Sequence, residues 1–541
     1  VAESGLSKPP PSGDHEPAPK PKRFWWRFTL GSLIIVLATS AVTATVILRY
    51  VDSIAKALSH NNVLQNKVEK FLSQTDGGEP ENILILGSDK RASEPGDPGR
   101  SDTTILLRLD PDQNAIALMS IPRDLKVEIP GVGTDKFNAA FAYGGPKLTL
   151  RVVKELTGLP INHVVNVDYL GFVRAVDAIN CVYVDVDRRY FHSNLGVPPS
   201  EQYSEINVQP GYQLLCGKKA LQYVRYRHTD TDLVRAARQQ DFLSAARQRV
   251  PIDDLVLDRN DLIDIFTEYT TSDINDKETM LEVLKLFVSS RNAAIKEVHF
   301  PAELGPSYVY ASPEMIEDAT NQFLGIEASS GPRGSLEEGS PNKKKSKGKK
   351  KGKKDKGQQK PHLGPTKPPG SDGLVPAREA GELEAKPVAR KVSAGFPVFY
   401  PTRLPSGAFY VESNPYEHIQ DPRVYHFKDS DGNRHGAYRM VAEWPQSDGI
   451  HYFGLQGIQG WSDPPILDNP SLTKTINGRE YEVFVDGDRI PLVAWHRGDN
   501  SYWVANDLLN TLTNDQMIGI ARSADVKIPN PKRKKGGKAN K

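Results

Sequence analysis

An α/β fold is predicted for the first half of this chain. The prediction rests on strand-like apolar runs that end beside carboxylates, helix-patterned stretches between them, and arginines gathered on one turn and the helix after it. One membrane-spanning helix is expected before this unit, and a lysine-rich disordered linker and a smaller α+β domain after it. Ile83-Leu84-Ile85-Leu86 runs into Gly87-Ser88-Asp89-Lys90-Arg91, and Gly99-Arg100-Ser101-Asp102 precedes the strand pattern Thr103 to Leu107. A third run, Ala115 to Ile121, delivers Pro122-Arg123-Asp124. Asp89 and Asp102 therefore stand at strand ends.

Arg225-Tyr226-Arg227 is followed by Asp232-Leu233-Val234-Arg235-Ala236-Ala237-Arg238-Gln239-Gln240. Guanidinium is a permanently charged planar fork that matches phosphate oxygens, and Arg235 and Gln239, four apart, share a helix face. Carboxylates at strand ends facing such arginines suggest a divalent cation beside a pyrophosphate. The structural alternatives are a salt bridge from Asp89 to Lys90 or Arg91, and a cation at a helix end for Arg225 or Arg227. Neither explains Arg123, Arg235 and Gln239 together. His228 reads as a turn residue, because no second histidine stands at metal-ligand spacing.

The ordered motifs GSDKR (87–91), GRSDT (99–103), SIPRD (120–124), DKFNAAFAYGG (135–145) and RYRHTDTDLVRAARQQ (225–240) resemble the LytR-CpsA-Psr family of bacterial wall-polymer ligases over residues 78 to 250. The resemblance implies an α/β/α sandwich with a central mixed sheet, transferring a glycopolymer from undecaprenyl pyrophosphate to a peptidoglycan sugar hydroxyl. It implies Asp89 and Asp102 as ligands for magnesium, with manganese as the alternative. It also implies Arg123, Arg225, Arg227, Arg235 and Gln239 at the pyrophosphate, with Arg91, Arg100, Lys136 and Arg238 as further candidates. The role of Asp124 stays open; it and Asp102 are the two candidates for taking the acceptor's proton. A hydrolase using water on the same pyrophosphate is the nearest enzymatic alternative, and a non-catalytic envelope receptor or regulator is the other.

The chain has 541 residues, room for more than one domain, and its 38% hydrophobic and 25% charged content is that of globular material. A net charge of +2 conceals a nearly pure Lys/Gly run at 343–356 and the basic tail Lys532-Arg533-Lys534-Lys535. Phe28 to Leu48 is apolar and long enough to cross a bilayer core of about 30 Å. Lys20, Lys22, Arg23 and Arg27 crowd its amino-terminal side, so residues 1–27 are expected in the cytoplasm, 28–50 as the anchor and the remainder outside the cell membrane. Ile54, Leu58, Val63, Val68 and Leu72 suggest a helical stalk over 51–77. In an oxidising compartment the only two cysteines, Cys181 and Cys216, are expected to be bridged.

The catalytic unit is expected over 78–327, with helical patterns near Asp253 to Thr270 and Lys277 to Ser289 and a closing strand at Glu297 to Phe300. Leu148, Val152, Val153 and Leu156 form a stripe that suits either core packing or the polyprenyl chain. Residues 328–392, rich in Gly, Pro, Ser and Lys, are expected to be a disordered tether whose lysines suit anionic wall polymers; extracytoplasmic placement excludes nucleic acid.

Residues 393–529 are expected to form a β-rich domain. Strands are read at Val424 to Phe427, Gly436 to Trp444 and Ile450 to Ile458, with an Asn477-Gly478 hairpin, a second hairpin around Gly498-Asp499-Asn500, and a helix capped by Thr513. Its ending resembles envelope modules of the DUF4367 kind. Trp444, Trp461, Trp495 and Trp503 read either as core or as a sugar-stacking surface. Residues 530–541 form a basic tail.

Overall fold

The computed structural model describes residues 68–76, 78–88, 99, 101–198, 204–226, 230–249, 270–274, 279, 282–283, 286, 293–300, 302–325, 332–333, 372–411, 423–447 and 449–528. The predicted anchor and tail, the helix patterns of 253–269, the lysine run, and Asp89, Arg91, Arg100 and Arg227 lie outside them. Among the described residues no helix is long and apolar enough to cross a membrane.

Among the described residues fourteen strands and five helices build the first unit, the last three elements being β13 (Glu303–Leu304), β14 (Val309–Tyr310) and α5 (Pro313–Gly325), whose Ile316, Ala319 and Phe323 enter its core. The elements before these are, in chain order, β1 (Glu81–Ser88), β2 (Ser101–Asp110), β3 (Ala115–Ser120), β4 (Lys126–Ile129), β5 (Gly133–Lys136), α1 (Ala139–Thr157), β6 (His163–Asp168), α2 (Tyr169–Ala178), β7 (Val182–Val186), β8 (Tyr190–His192), β9 (Ile206–Val208), β10 (Gly211–Leu215), α3 (Gly217–Arg225), α4 (Asp232–Arg249), β11 (Thr270–Ser272) and β12 (Ala294–Val298). A six-stranded sheet runs β11-β6-β1-β2-β3-β12. It is mixed, because β1 pairs in parallel with β6 and β3 with β12 while the other pairs are antiparallel.

Both faces are covered. Leu84 and Leu86 pack with Leu106, Met119 and the α1 residues Leu150 and Val153, whereas Ile83 and Ile85 join Leu107, Ile116 and Leu286 on the opposite face. That is why β1 reads as a continuous apolar run rather than an alternating one. Val152 and Val153 are buried and Leu148 and Leu156 pack against the same cluster, so the ambiguous stripe is core. Gly145, at φ +60°, precedes Pro146 and breaks α1, a backbone turn that favours glycine. Val68 is fully buried and Phe71 and Leu72 pack beside it, so residues 68–72 of the expected stalk belong to this core. The closing strand spans 294–298 rather than 297–300, its register being fixed by Ala294 opposite Ala115 and Val298 opposite Met119.

Cys181 and Cys216 are bridged, with Cα atoms 4.4 Å apart and a sequence separation of 35. The bridge clamps β7 and β10 at the foot of α3. Reduction is expected to lower stability by about 3–4 kcal/mol through the unfolded chain, read as an earlier urea midpoint with reductant present. A midpoint unmoved by complete reduction would refute this.

His163, at the start of β6, lies between Asp273 (Nδ1 to Oδ2, 2.8 Å) and Glu81 (Nε2 to Oε2, 3.3 Å). Burial opposes its charge, but the hydrogen bonds and charges of Asp273 and Glu81 outweigh burial and push it up to about 9. Because the folded value lies above the unfolded one near 6.5, this stabilisation is complete below about pH 6.5 and is lost as pH rises through about 9. Unfolding free energy is expected to fall by on the order of 3 kcal/mol across that window, and His163→Gln should flatten the dependence.

The second unit begins earlier than the sequence suggests. Residues 372–391 are ordered: Leu374–Pro376 forms a strand and Arg378–Lys391 a helix, α6, with Asp372 ion-paired to Arg403 (2.8 Å). The expected disorder therefore does not extend over 372–392. The buried positions of α6 are Gly381, Ala385 and Val388, too small to register as an apolar stripe.

An eight-stranded sheet follows, its path running 409–410, 434–446, 449–458, 500–505, 489–497, 479–486 and 472–476, with 423–428 paired to 434–446. The Asn477-Gly478 turn joins Ile476 to Arg479 with φ of +52° and +77°, as a two-residue hairpin requires. Thr513 and Gln516 form a reciprocal capping box on helix α7, Asn514–Ser523. Trp495 and Trp503 are fully buried, while Trp444 and Trp461 are half-buried. One sheet face carries α6 and α7; the other packs Trp503, Ala494 and Ile458 on Tyr183 of β7 and Tyr212 of β10.

Candidate active site

The site residues collect at the carboxyl ends of the parallel strands β1 and β6. Ser88, the last residue of β1, faces Ser101 on one side and Asp168 on the other. Asp102 and Thr103 follow Ser101, Tyr169 follows Asp168, and the chain leaving β3 supplies Arg123 and Asp124. Sheets of this kind bind ligands at that edge.

Arg123 is the hub. Its guanidinium donates to Asp102 Oδ1 at 2.6 Å and lies 3.4 Å from Asp124 Oδ2 and 3.7 Å from Asp232 Oδ1. Burial disfavours its charge, but Asp102, Asp124 and Asp232 together overcome burial and hold the guanidinium above its ordinary value. Its backbone N–H donates to Asp232 Oδ2 at 2.8 Å. Asp232 opens α4, where a carboxylate favours the helix dipole, and it also pairs with Arg235 three residues on.

Arg235 and Gln239 are both buried on the inner side of α4. Gln239 Nε2 donates to Thr103 Oγ1 (2.9 Å) and to the Val224 carbonyl (3.2 Å), joining the neighbour of Asp102 to the neighbour of Arg225. Arg225 ends α3 and lays its guanidinium 3.8 Å from the centre of the Tyr169 ring. Cation–π stacking leaves the edge of the fork for a ligand. Lys136, on β5, stands 3.1 Å from Asp124 Oδ1.

Arg238 departs from the expectation that it contacts the pyrophosphate. It is fully buried, donates to the Tyr223 and Tyr226 carbonyls at 3.0 and 2.8 Å, and is ion-paired with Asp230. It is a strut against the carboxyl end of α3, the helix that ends in Arg225. Sequence reasoning did not assign roles to Asp232 or Tyr169. Asp232 could have been found from its spacing to Arg235 at a helix start; Tyr169 carries no comparable signal.

Asp102 is not part of a compact group of metal-ligand side chains among the described residues; the two such groups are Glu297, His299 and Asp486, and Asp177 with the bridged cysteines.

Guanidiniums and carboxylates thus gather on the carboxyl edge of the mixed sheet of an α/β protein. The chain belongs to the LytR_cpsA_psr family, whose model matches residues 46–324. Among its relatives is a polyisoprenyl-teichoic acid--peptidoglycan teichoic acid transferase, TagU, of Oceanobacillus iheyensis, 29% identical over 323 residues that make up 56% of this chain and 95% of the relative. TagU of Bacillus cereus is 32% identical over 226 residues, 41% of this chain and 69% of that protein. A solved structure described as LytR-CPS2A-psr family protein YwtF (TagT) with bound octaprenyl pyrophosphate lipid aligns at a TM-score of 0.35 with 25% identity, over 48% of this chain and 95% of its own.

Proposed function

We infer that this protein is a membrane-anchored transferase that moves a glycopolymer from a polyprenyl-pyrophosphate carrier to a peptidoglycan sugar hydroxyl, releasing the polyprenyl phosphate. The observation that carries this reading is the Arg123 hub linked through Asp232, Arg235 and Gln239 to Arg225 and Tyr169 at the carboxyl ends of β1 and β6. The names of the two transferase relatives support the carrier and acceptor classes. The apolar run 28–48 would tether the site at the outer face of the membrane, where a lipid-linked substrate resides.

A pyrophosphate repels an incoming hydroxyl, so catalysis consists chiefly of positioning and charge stabilisation. Arg123 and Arg225, with Arg91, Arg100, Arg227 and Lys136, would hold the phosphate oxygens. Arg235 and Gln239 would brace that clamp from α4. The hard oxygen donors of Asp102 and of Asp89, which directly follows Ser88 at the end of β1, suit magnesium or manganese, and the ion would supply further neutralisation of the phosphates. Asp102 and Asp124, both ion-paired with Arg123, would take or orient the acceptor proton.

The test is turnover of a polyprenyl-pyrophosphate-linked saccharide by the full chain in detergent, with magnesium and peptidoglycan fragments. The native chain should transfer saccharide in a magnesium-dependent way, and Asp89→Ala and Arg225→Ala should abolish it. Release of saccharide to water alone would replace the transferase by a hydrolase, and binding without turnover would replace it by a receptor.

A further inference from the structure

Between the family unit and the second sheet lies a cavity of about 580 Å³, within the range of small-ligand sites. It sits on the far face of α4 from Arg235 and Gln239. Asp241, Ser244, Ala245 and Gln248 line it at helical spacing from α4, and Phe484, Leu492 and Asn510 line it from the second unit.

The polar walls of this cavity are incompletely satisfied. Arg439 is fully buried; one of its nitrogens donates to Asp185 Oδ2 at 3.1 Å, while its Nε and Nη2 have no hydrogen-bond partner among the described residues. The same holds for Asp185 Oδ1, Arg333 Nε and Asn510 Nδ2. Buried polar groups are overwhelmingly hydrogen-bonded, so orphaned donors and an orphaned acceptor on one cavity mark a place where another molecule completes them.

The charges select its chemistry. Asp185, Asp187, Asp241, Glu297, Asp486 and Asp507 line the cavity against Arg247, Arg333 and Arg439. An anionic polymer would meet this excess of carboxylates. Burial pushes the Glu297 carboxyl up to about 8 although the Arg333 charge beside it opposes the rise. Tyr223 and Phe484 add aromatic surface to the mixed donors and acceptors. That combination fits hydroxyl-rich rings with apolar faces.

We propose that the junction cavity is a saccharide site taking an uncharged stretch of wall glycan, separate from the phosphate cluster and holding the acceptor strand against the enzyme. The idea rests on the transferase reading for its biological role but not for the binding itself.

The experiment is calorimetric titration of the full chain in detergent with chitotetraose, an uncharged N-acetylglucosamine oligomer, and separately with farnesyl pyrophosphate. The native chain should bind chitotetraose. Ser244→Trp, which fills the cavity from α4, should weaken that binding at least tenfold, with Tm and farnesyl pyrophosphate affinity unchanged. Arg439→Gln should weaken it likewise if the chain stays folded. Absence of chitotetraose binding, the result for a cavity that holds only water, would overturn the proposal, as would equal binding by native chain and Ser244→Trp. Loss of farnesyl pyrophosphate binding alone would count against the transferase reading and leave the saccharide site standing.

Discussion

Arg123→Ala is expected to lower polymer transfer by about 10²–10³-fold, the size of effect seen when one preorganised charge-stabilising donor is removed. The loss should appear mainly in kcat, because in the proposed reaction the guanidinium would face charge that grows as the pyrophosphate bond breaks. Removing it also leaves Asp102, Asp124 and Asp232 without their common counter-charge. Arg123→Lys separates the two roles. It keeps a cation beside the carboxylates and so should retain the fold, but it loses the planar fork and is expected to transfer roughly tenfold more slowly than the native chain. Steady-state kinetics and a thermal melt on both variants check this. Transfer by a folded Arg123→Ala within threefold of native would remove Arg123 from the reaction.

Arg333→Ala is expected to destabilise the protein by about 3–5 kcal/mol, since breaking a buried ionic cluster strands the remaining charges. Arg333 is buried and reaches Asp241 and Glu297, both at 2.6 Å, and Asp486 at 3.3 Å; its backbone N–H donates to the Leu509 carbonyl. Asp241 and Glu297 belong to the family unit, Asp486 and Leu509 to the second one. Burial and neighbouring charge already raise the Asp241 carboxyl although Arg333 opposes the rise, so loss of the guanidinium should favour its protonation further. Calorimetry should show one transition in the native chain and two separated ones in Arg333→Ala. A variant that melts as a single native-like transition would show that the cluster does not hold the units together.

Local chemistry was the legible part. Strand ends announced Asp102 and Arg123, Asn-Gly announced its hairpin, and Thr513 its cap, because each depends on a few adjacent residues. Helix α6 was hidden because it buries Gly381, Ala385 and Val388, which periodicity hardly weighs, and carries Pro387. Arg238 was misread for a different reason. A guanidinium that binds phosphate and one that holds backbone carbonyls are identical in sequence, and only the 3.0 and 2.8 Å bonds to Tyr223 and Tyr226 distinguish them. The seam between the units, with Asp185 accepting from Arg439 and from Trp503 Nε1 (2.8 Å), joins residues about 250 and 320 positions apart and has no local signature.

Helix α4 turns Arg235 and Gln239 toward the Arg123–Arg225 cluster and Asp241 and Ser244 toward the junction cavity. A single rigid rod thus forms a wall of two compartments. If carrier binding shifts that rod, the affinities on its two sides become thermodynamically linked: whatever factor a bound pyrophosphate applies to glycan affinity, bound glycan must apply to pyrophosphate affinity. A transferase arranged in this way would sense an acceptor strand before committing its lipid-linked donor.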